Sequence, residues 1–198
     1  MALNGLGRWE PLDLTEVVQL FKDFPARWWI SGGHALELHL GRSWRPHDDI
    51  DVGVPREDSP RLGHTLRGWD VKIAASGILT PWSGSTPLVQ KRQNNLWCRK
   101  GSDQPWCIDV TIADGDETHW IFRRDSTVKI PWEEAVLRSE QGVPYLAPEL
   151  QLLYKSEHYR PKDAFDAIEA IPSLDADCRT RLHVLLPEDH PWQALITG

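Results

Sequence analysis

The chain has 198 residues, 40% hydrophobic and 26% charged, which suits one domain or a core domain with a small appendage. A formal net charge of −7 and a pI of about 5.6 speak against a protein that coats nucleic acid, although a local basic pocket fits within them. No run is long and apolar enough to span a membrane. Residues 1–10 lack the basic and apolar segments of a secretion signal, so the expected location is the cytoplasm.

Asp13-Leu14-Thr15-Glu16 is a capping box and predicts a helix through Phe21, with Leu14, Val17, Val18 and Phe21 on one face. Pro25 ends it. Residues 27–30 read as a strand entering Gly32-Gly33, and residues 34–40 as a short helix closed by Gly41. Residues 49–54 alternate acid and aliphatic, a strand pattern. Ser59-Pro60 predicts a helix start running to about residue 69, and a strand follows at 71–74. Residues 76–95, rich in Gly, Pro, Ser and Asn, read as hairpins and loops. Residues 96–99 and 106–112 form a strand pair about a turn at 101–103, with another strand at 120–123 and a short helix from Pro131. After residue 147 three helices are expected, at 149–159, 162–170 and 175–186. The expectation is an α+β fold with a core domain at 1–147 and a helical region at 148–198 that closes a cleft.

Cys98, Cys107 and Cys178 are odd in number and scattered, so they read as reduced packing residues. Eleven tryptophans are many for this length and are expected in the core and in pocket walls.

The chemistry concentrates in Ile30-Ser31-Gly32-Gly33-His34-Ala35-Leu36 and Arg42-Ser43-Trp44-Arg45-Pro46-His47-Asp48-Asp49-Ile50-Asp51. Asp49 and Asp51, at i and i+2 of a strand, share a face roughly 6.5–7 Å apart. Asp is disfavoured in strands, so two of them there point to a job, and Mg²⁺ is held by few carboxylates plus phosphate and water. Asp109 interrupts the apolar strand 106–112 and is the third carboxylate, as metal ligand or as general base toward an acceptor hydroxyl. Asp48 points the other way and reads as a loop residue. Ser31, Gly32 and Gly33 form a strand-to-helix turn where backbone N–H groups can meet a phosphate. Arg42, Arg45 and His47 supply positive or hydrogen-bonding groups beside the acidic strand. Lys155 and Lys162 could reach a triphosphate from the tail. The His47-Asp48 pair also occurs in metal phosphohydrolases, but those carry their ligands on helices, whereas here it runs into a strand.

Taken together, Gly32-Gly33, Asp49-Ile50-Asp51 and Asp109 resemble the polymerase-β type nucleotidyltransferase superfamily. The longer string, with Leu40-Gly41-Arg42 and Arg45-Pro46-His47-Asp48-Asp49-Ile50-Asp51, is most similar to the small adenylyltransferases of the aminoglycoside 2″ and lincosamide group. Leu153-Tyr154-Lys155 and Arg160-Pro161-Lys162-Asp163 add to the likeness, which covers about residues 26–170. The resemblance implies a short mixed sheet backed by helices and transfer of a nucleoside monophosphate, AMP from ATP, to a hydroxyl with release of pyrophosphate. It implies one or two Mg²⁺ ions on Asp49, Asp51 and Asp109, and nucleotide phosphates held by Ser31, Gly32 and Arg42. His34 departs from the Trp often found after the glycines in drug-modifying members.

The expected partners are a nucleoside triphosphate and a small hydroxyl-bearing acceptor of aminoglycoside or lincosamide kind. A homodimer is allowed, a membrane is not expected, and nucleic acid is disfavoured by the acidic surface. The alternatives are a toxin-type nucleotidyltransferase acting on RNA or protein, and a non-catalytic nucleotide-binding protein on the same scaffold.

Overall fold

The computed structural model describes residues 6–198. The reading of residues 1–10 therefore falls partly on residues 1–5, outside the described residues. Helix α1 (Leu14–Phe21) begins where the capping box places it: Glu16 N donates to Asp13 Oδ1 at 2.8 Å and Asp13 N to Glu16 Oε2 at 3.0 Å. Strand β1 (Trp29–Ser31) runs straight into α2 (Gly32–Leu40), and Gly41, at φ 65°, ends that helix in the left-handed conformation. Strand β2 (Asp51–Pro55) begins two residues later than its alternation suggests, so Asp49 lies in the segment leading into it.

The helix expected from Ser59 to residue 69 is replaced by a 3₁₀ segment (Arg56–Arg61) and one turn of helix, α3 (Leu62–Thr65). Pro60 cannot donate to the turn before it, and a Cβ on Gly63 would overlap the Gly84 carbonyl. Close approach of the 84 loop thus takes precedence over helix propagation.

Strands β3 (Asp70–Ala75), β4 (Ile78–Pro81), β5 (Asn95–Arg99) and β6 (Ile108–Gly115) follow, then β7 (His119–Ile121), β8 (Lys129–Pro131), α4 (Trp132–Ala135), β9 (Val136–Arg138) and β10 (Pro144–Leu146). The chain ends in α5 (Pro148–Ser156), α6 (Pro161–Ala170), α7 (Ala176–Leu185) and α8 (Gln193–Thr197). The sequence reading omits β8, β9, β10 and α8, because three to five residues are too few to display a period. It also extends α5 to 159, whereas Glu157 turns extended and His158 adopts φ 53°.

The main sheet has the order β4-β3-β5-β6-β2-β1-β10-β9, with β7 and β8 continuing from the end of β6. β2 pairs parallel to β6 and β1 parallel to β10; the other pairs are antiparallel, so the sheet is mixed and the fold is α+β. Period two divides it cleanly. Ile30, Val52, Val54, Ile108 and Val110 point to one face, where Val17 and Phe21 of α1 and Leu62 cover them. Trp29 and Ala113 point to the other, joined by Leu150, Leu153, Ala167 and Leu182 of the last helices in a second core. That second face also carries the acids. Among the described residues no helix is long and apolar enough to cross a membrane. The three cysteines are free, as expected.

Candidate active site

Strand register assembles the site. Ser31 lies opposite Asp51 on β1 and β2, and Asp51 lies opposite Asp109 on β2 and β6. Directly opposed residues share a face, so these three side chains stand in one row across three adjacent strands, about 5 Å apart by strand spacing. Asp49 precedes the row by two residues. Ser31, Gly32 and Asp51 form one wall of a cleft of about 450 Å³ whose other wall includes Lys155, Arg160 and Asp163 from the tail helices. Trp29, Trp120 and Tyr154 are among its apolar lining.

The acids are crowded and largely shielded from water. Burial, and then the charge of Asp49, push Asp51 up to about 7 against the pull of Lys155, Lys162 and Arg160. Burial and the neighbouring Asp51 push Asp109 well above the usual carboxylate range. Asn95 Nδ2 donates to both Asp109 oxygens at 2.9 Å and Trp97 Nε1 donates to Oδ2 at 3.2 Å, which only partly offsets this. Adjacent carboxylates with a shortage of compensating charge are what a divalent cation resolves, and their oxygen donors suit Mg²⁺. Asp49, Asp51 and Asp109 supply oxygens of that kind, although their ligand atoms do not all come within 4.8 Å of one another.

Gly32 is required by contact as well as by conformation. It sits at φ 69°, and a Cβ there would overlap Asp51 Oδ2. Its N–H, expected to face a phosphate, instead donates to Gln151 Oε1 at 2.8 Å, tying the turn to α5. Gly33 faces elsewhere: a Cβ on it would meet the His47 ring and the Arg45 guanidinium.

The predicted basic residues divide. Lys155 lines the cleft but also bonds Asp163 Oδ1 at 3.0 Å and Asp166 Oδ2 at 2.9 Å. Lys162 reaches Asp48 Oδ2 at 3.6 Å and acts on Asp51 through space. Arg42 is not brought to the cleft; it pairs with Glu169 on α6 and lies over the Trp44 ring. Arg45 makes a fork with buried Asp166, Nε to Oδ1 and Nη2 to Oδ2 both at 2.7 Å, which anchors the 42–48 loop to α6. Arg45 Nη1 also donates to His47 Nδ1 at 3.0 Å, and His47 Nε2 lies 3.0 Å from Glu37 Oε1.

His34, Glu37 and His47 bring three donor atoms within 4.8 Å of one another, a second arrangement that could suggest a metal. Its protonation opposes that. A guanidinium only donates, so His47 Nδ1 accepts and the ring proton sits on Nε2, facing Glu37. A cation there would have to displace that proton from a ring already bonded at its other nitrogen. Burial holds His34 down to about 4, and its ring lies tilted by 34° against that of His47 at a centroid distance of 4.0 Å. The cluster reads as a hydrogen-bonded brace beside the acidic segment.

Sequence reasoning missed Gln151, Asn95 and Trp97 as site residues, since an amide or an indole on an element gives no pattern until its partner is known. The tail motif gave a signal for Asp163 and Asp166, whose spacing of one helical turn puts both beside Lys155.

A model of the aminoglycoside-2''-adenylyltransferase family matches residues 13–79, the segment holding Gly32, Asp49 and Asp51. Similarity extends to a lincosamide resistance protein of Staphylococcus haemolyticus, 19% identical over 144 residues, 73% of this chain and 83% of that one. Among solved structures the chain superposes on ANT(2")-Ia in complex with adenylyl-2"-tobramycin at a TM-score of 0.55, with 16% identity, covering 92% of this chain and 94% of the other. The fold is a nucleotidyltransferase fold. The lincomycin-bound lincosamide antibiotic adenylyltransferase LnuA is equally close, at a TM-score of 0.55 and 15% identity over 81% of this chain and 98% of the other. The family and both structures are antibiotic adenylyltransferases, the group that the glycine and aspartate motifs resemble.

Proposed function

We propose that the protein is a Mg²⁺-dependent nucleotidyltransferase that transfers a nucleoside monophosphate, AMP from ATP, to a hydroxyl of a small acceptor. The observation that carries this reading is the row Ser31, Asp51 and Asp109 across three paired strands, with Ser31 and Asp51 sharing a cleft with Lys155 and Arg160. Asp49, Asp51 and Asp109 would hold the metal, which would supply neutralisation of charge at the phosphates. Lys155 and Arg160, each oriented by Asp163, would hold the triphosphate oxygens. Asp109 accepts the proton of the acceptor hydroxyl. The hydroxyl oxygen bonds to the α-phosphorus, the bond from that phosphorus to the bridging oxygen breaks, and pyrophosphate leaves with those electrons.

The test is pyrophosphate release with each NTP and a panel of acceptors. Asp51→Ala should abolish release while retaining the fold by circular dichroism. Full activity of that variant in excess Mg²⁺ would overturn the reading.

A further inference from the structure

The sheet face bearing the acids continues past Asp109 onto β5, β3 and β4. Trp97 lies opposite Asp109, and the neighbouring row runs Asn95, Ala74 and Leu79. These side chains line a separate cavity of about 270 Å³, with Leu6 and the Ser76-Gly77 turn of the β3–β4 hairpin also around it. Asn95 borders both this cavity and the nucleotide cleft, while Asp109 lines this cavity and lies opposite Asp51 of the cleft wall. Among the described residues, Asp109 is the one charged group that lines it.

We propose that this cavity is the acceptor subsite, and that it takes an uncharged, hydroxyl-bearing compound by an apolar portion rather than a polycation. The proposal rests on the nucleotidyltransferase reading above. Position argues for the subsite: a hydroxyl presented from it meets Asp109 from the side away from Asp51. Chemistry argues for the class. An ammonium group entering a cavity gives up water and needs a carboxylate in exchange, so a polyamine needs several. Here there is one, Asp109, which the reading above commits to the metal and to the proton of the acceptor hydroxyl. Leu6, Ala74, Leu79 and Trp97 supply its apolar surface, and Asn95 and Ser76 supply uncharged polar groups. Trp97 is held by edge contacts with Trp9 and Trp106 at centroid distances of 5.2 and 5.8 Å, so it presents a fixed wall. Ile78, two-thirds exposed on the hairpin, extends the apolar lining outward. The volume lies near the lower end of small-molecule sites, about 300 Å³, and suits one ring with its substituent.

The experiment is calorimetry on the full chain with Mg²⁺ and a non-hydrolysable ATP analogue, using phenyl β-glucoside as the neutral probe and tobramycin as the polycation. Phenyl glucoside should bind at least tenfold more tightly than tobramycin. Ala74→Phe, which fills the floor, should weaken the glucoside at least tenfold, and Ala74→Asp should reverse the ranking. Both variants should retain binding of the ATP analogue, which shows that they are folded. Failure of the unsubstituted protein to bind the analogue overturns the nucleotide reading, and this proposal with it. Intact analogue binding together with a preference for tobramycin, no glucoside binding, or no effect of Ala74→Phe overturns the acceptor proposal alone.

Discussion

Replacing Asp51 with Asn should stabilise the metal-free protein at alkaline pH while abolishing transfer. A carboxylate whose value in the fold lies above its ordinary one costs stability as it ionises. The cost is absent below pH 4, grows as pH rises toward 7 and is constant above. For Asp51 the span from 3.8 to about 7 corresponds to at most about 4 kcal/mol. Because the side chain borders the open cleft, about 2 kcal/mol is the expected gain of Asp51→Asn at pH 8. Removing this charge also relieves Asp109, which Asp51 pushes upward. The assay is urea unfolding of both proteins in chelator at pH 5, 6, 7 and 8. The variant's advantage should widen from pH 5 to 7 and level off toward pH 8. Mg²⁺ added at pH 8 should then raise the midpoint of the unsubstituted protein and leave the variant unmoved, with protons released on binding to the former below pH 7. Parallel pH profiles in chelator would refute the reasoning, since they would mean that the paired acids carry no uncompensated charge.

Gly32→Ala should lose about 1–2 kcal/mol from its positive φ and, by pushing the Asp51 carboxylate aside, reduce turnover at least tenfold. Gly41→Ala, at a similar φ but with nothing within 4 Å of its Cβ, should lose stability without losing turnover, measured by the same pyrophosphate assay. Asp166→Ala strands Arg45 and Lys155 beneath the surface and should cost about 3–5 kcal/mol in urea unfolding. Burial opposes the charge of Asp163, but bonds from Arg160 and Lys155 outweigh it and hold the carboxyl below its usual range. Its contribution is therefore complete above the ordinary carboxylate value and is lost as pH falls through the lowered one. Asp163→Asn should be clearly less stable than the parent at pH 6, and the gap should shrink on acidification toward pH 2.

Much of the site was legible because local pattern carries it. The capping box of Asp13 and Glu16, the glycine pair after a short strand, and alternation through Asp51 and Asp109 each depend on neighbours within a few residues, and each element formed at its pattern or shifted from it by two or three residues. Asp49 shows the limit: alternation extends back to it, but pairing with β1 and β6 starts at Asp51, and only a partner strand ends a strand. The helix expected from Ser59 failed for a related reason, since a loop 21 residues away occupies the space that a side chain at Gly63 would need.

The basic residues divide along the same line. Sequence by itself determined that arginines, histidine and lysines accompany the acids, and that Asp109 sits alone in an apolar strand. Tertiary structure alone decided that β2 and β6 are neighbours in a register that sets Asp51 beside Asp109. It also decided that Arg42 and Arg45 turn to Glu169 and Asp166 while Lys155 and Arg160 face the cleft. The reason is physical. A hydrophobic period is written in consecutive residues, but the partner of a charge is chosen among all the groups that packing brings within a few ångströms, and those lie up to 127 residues apart in this chain.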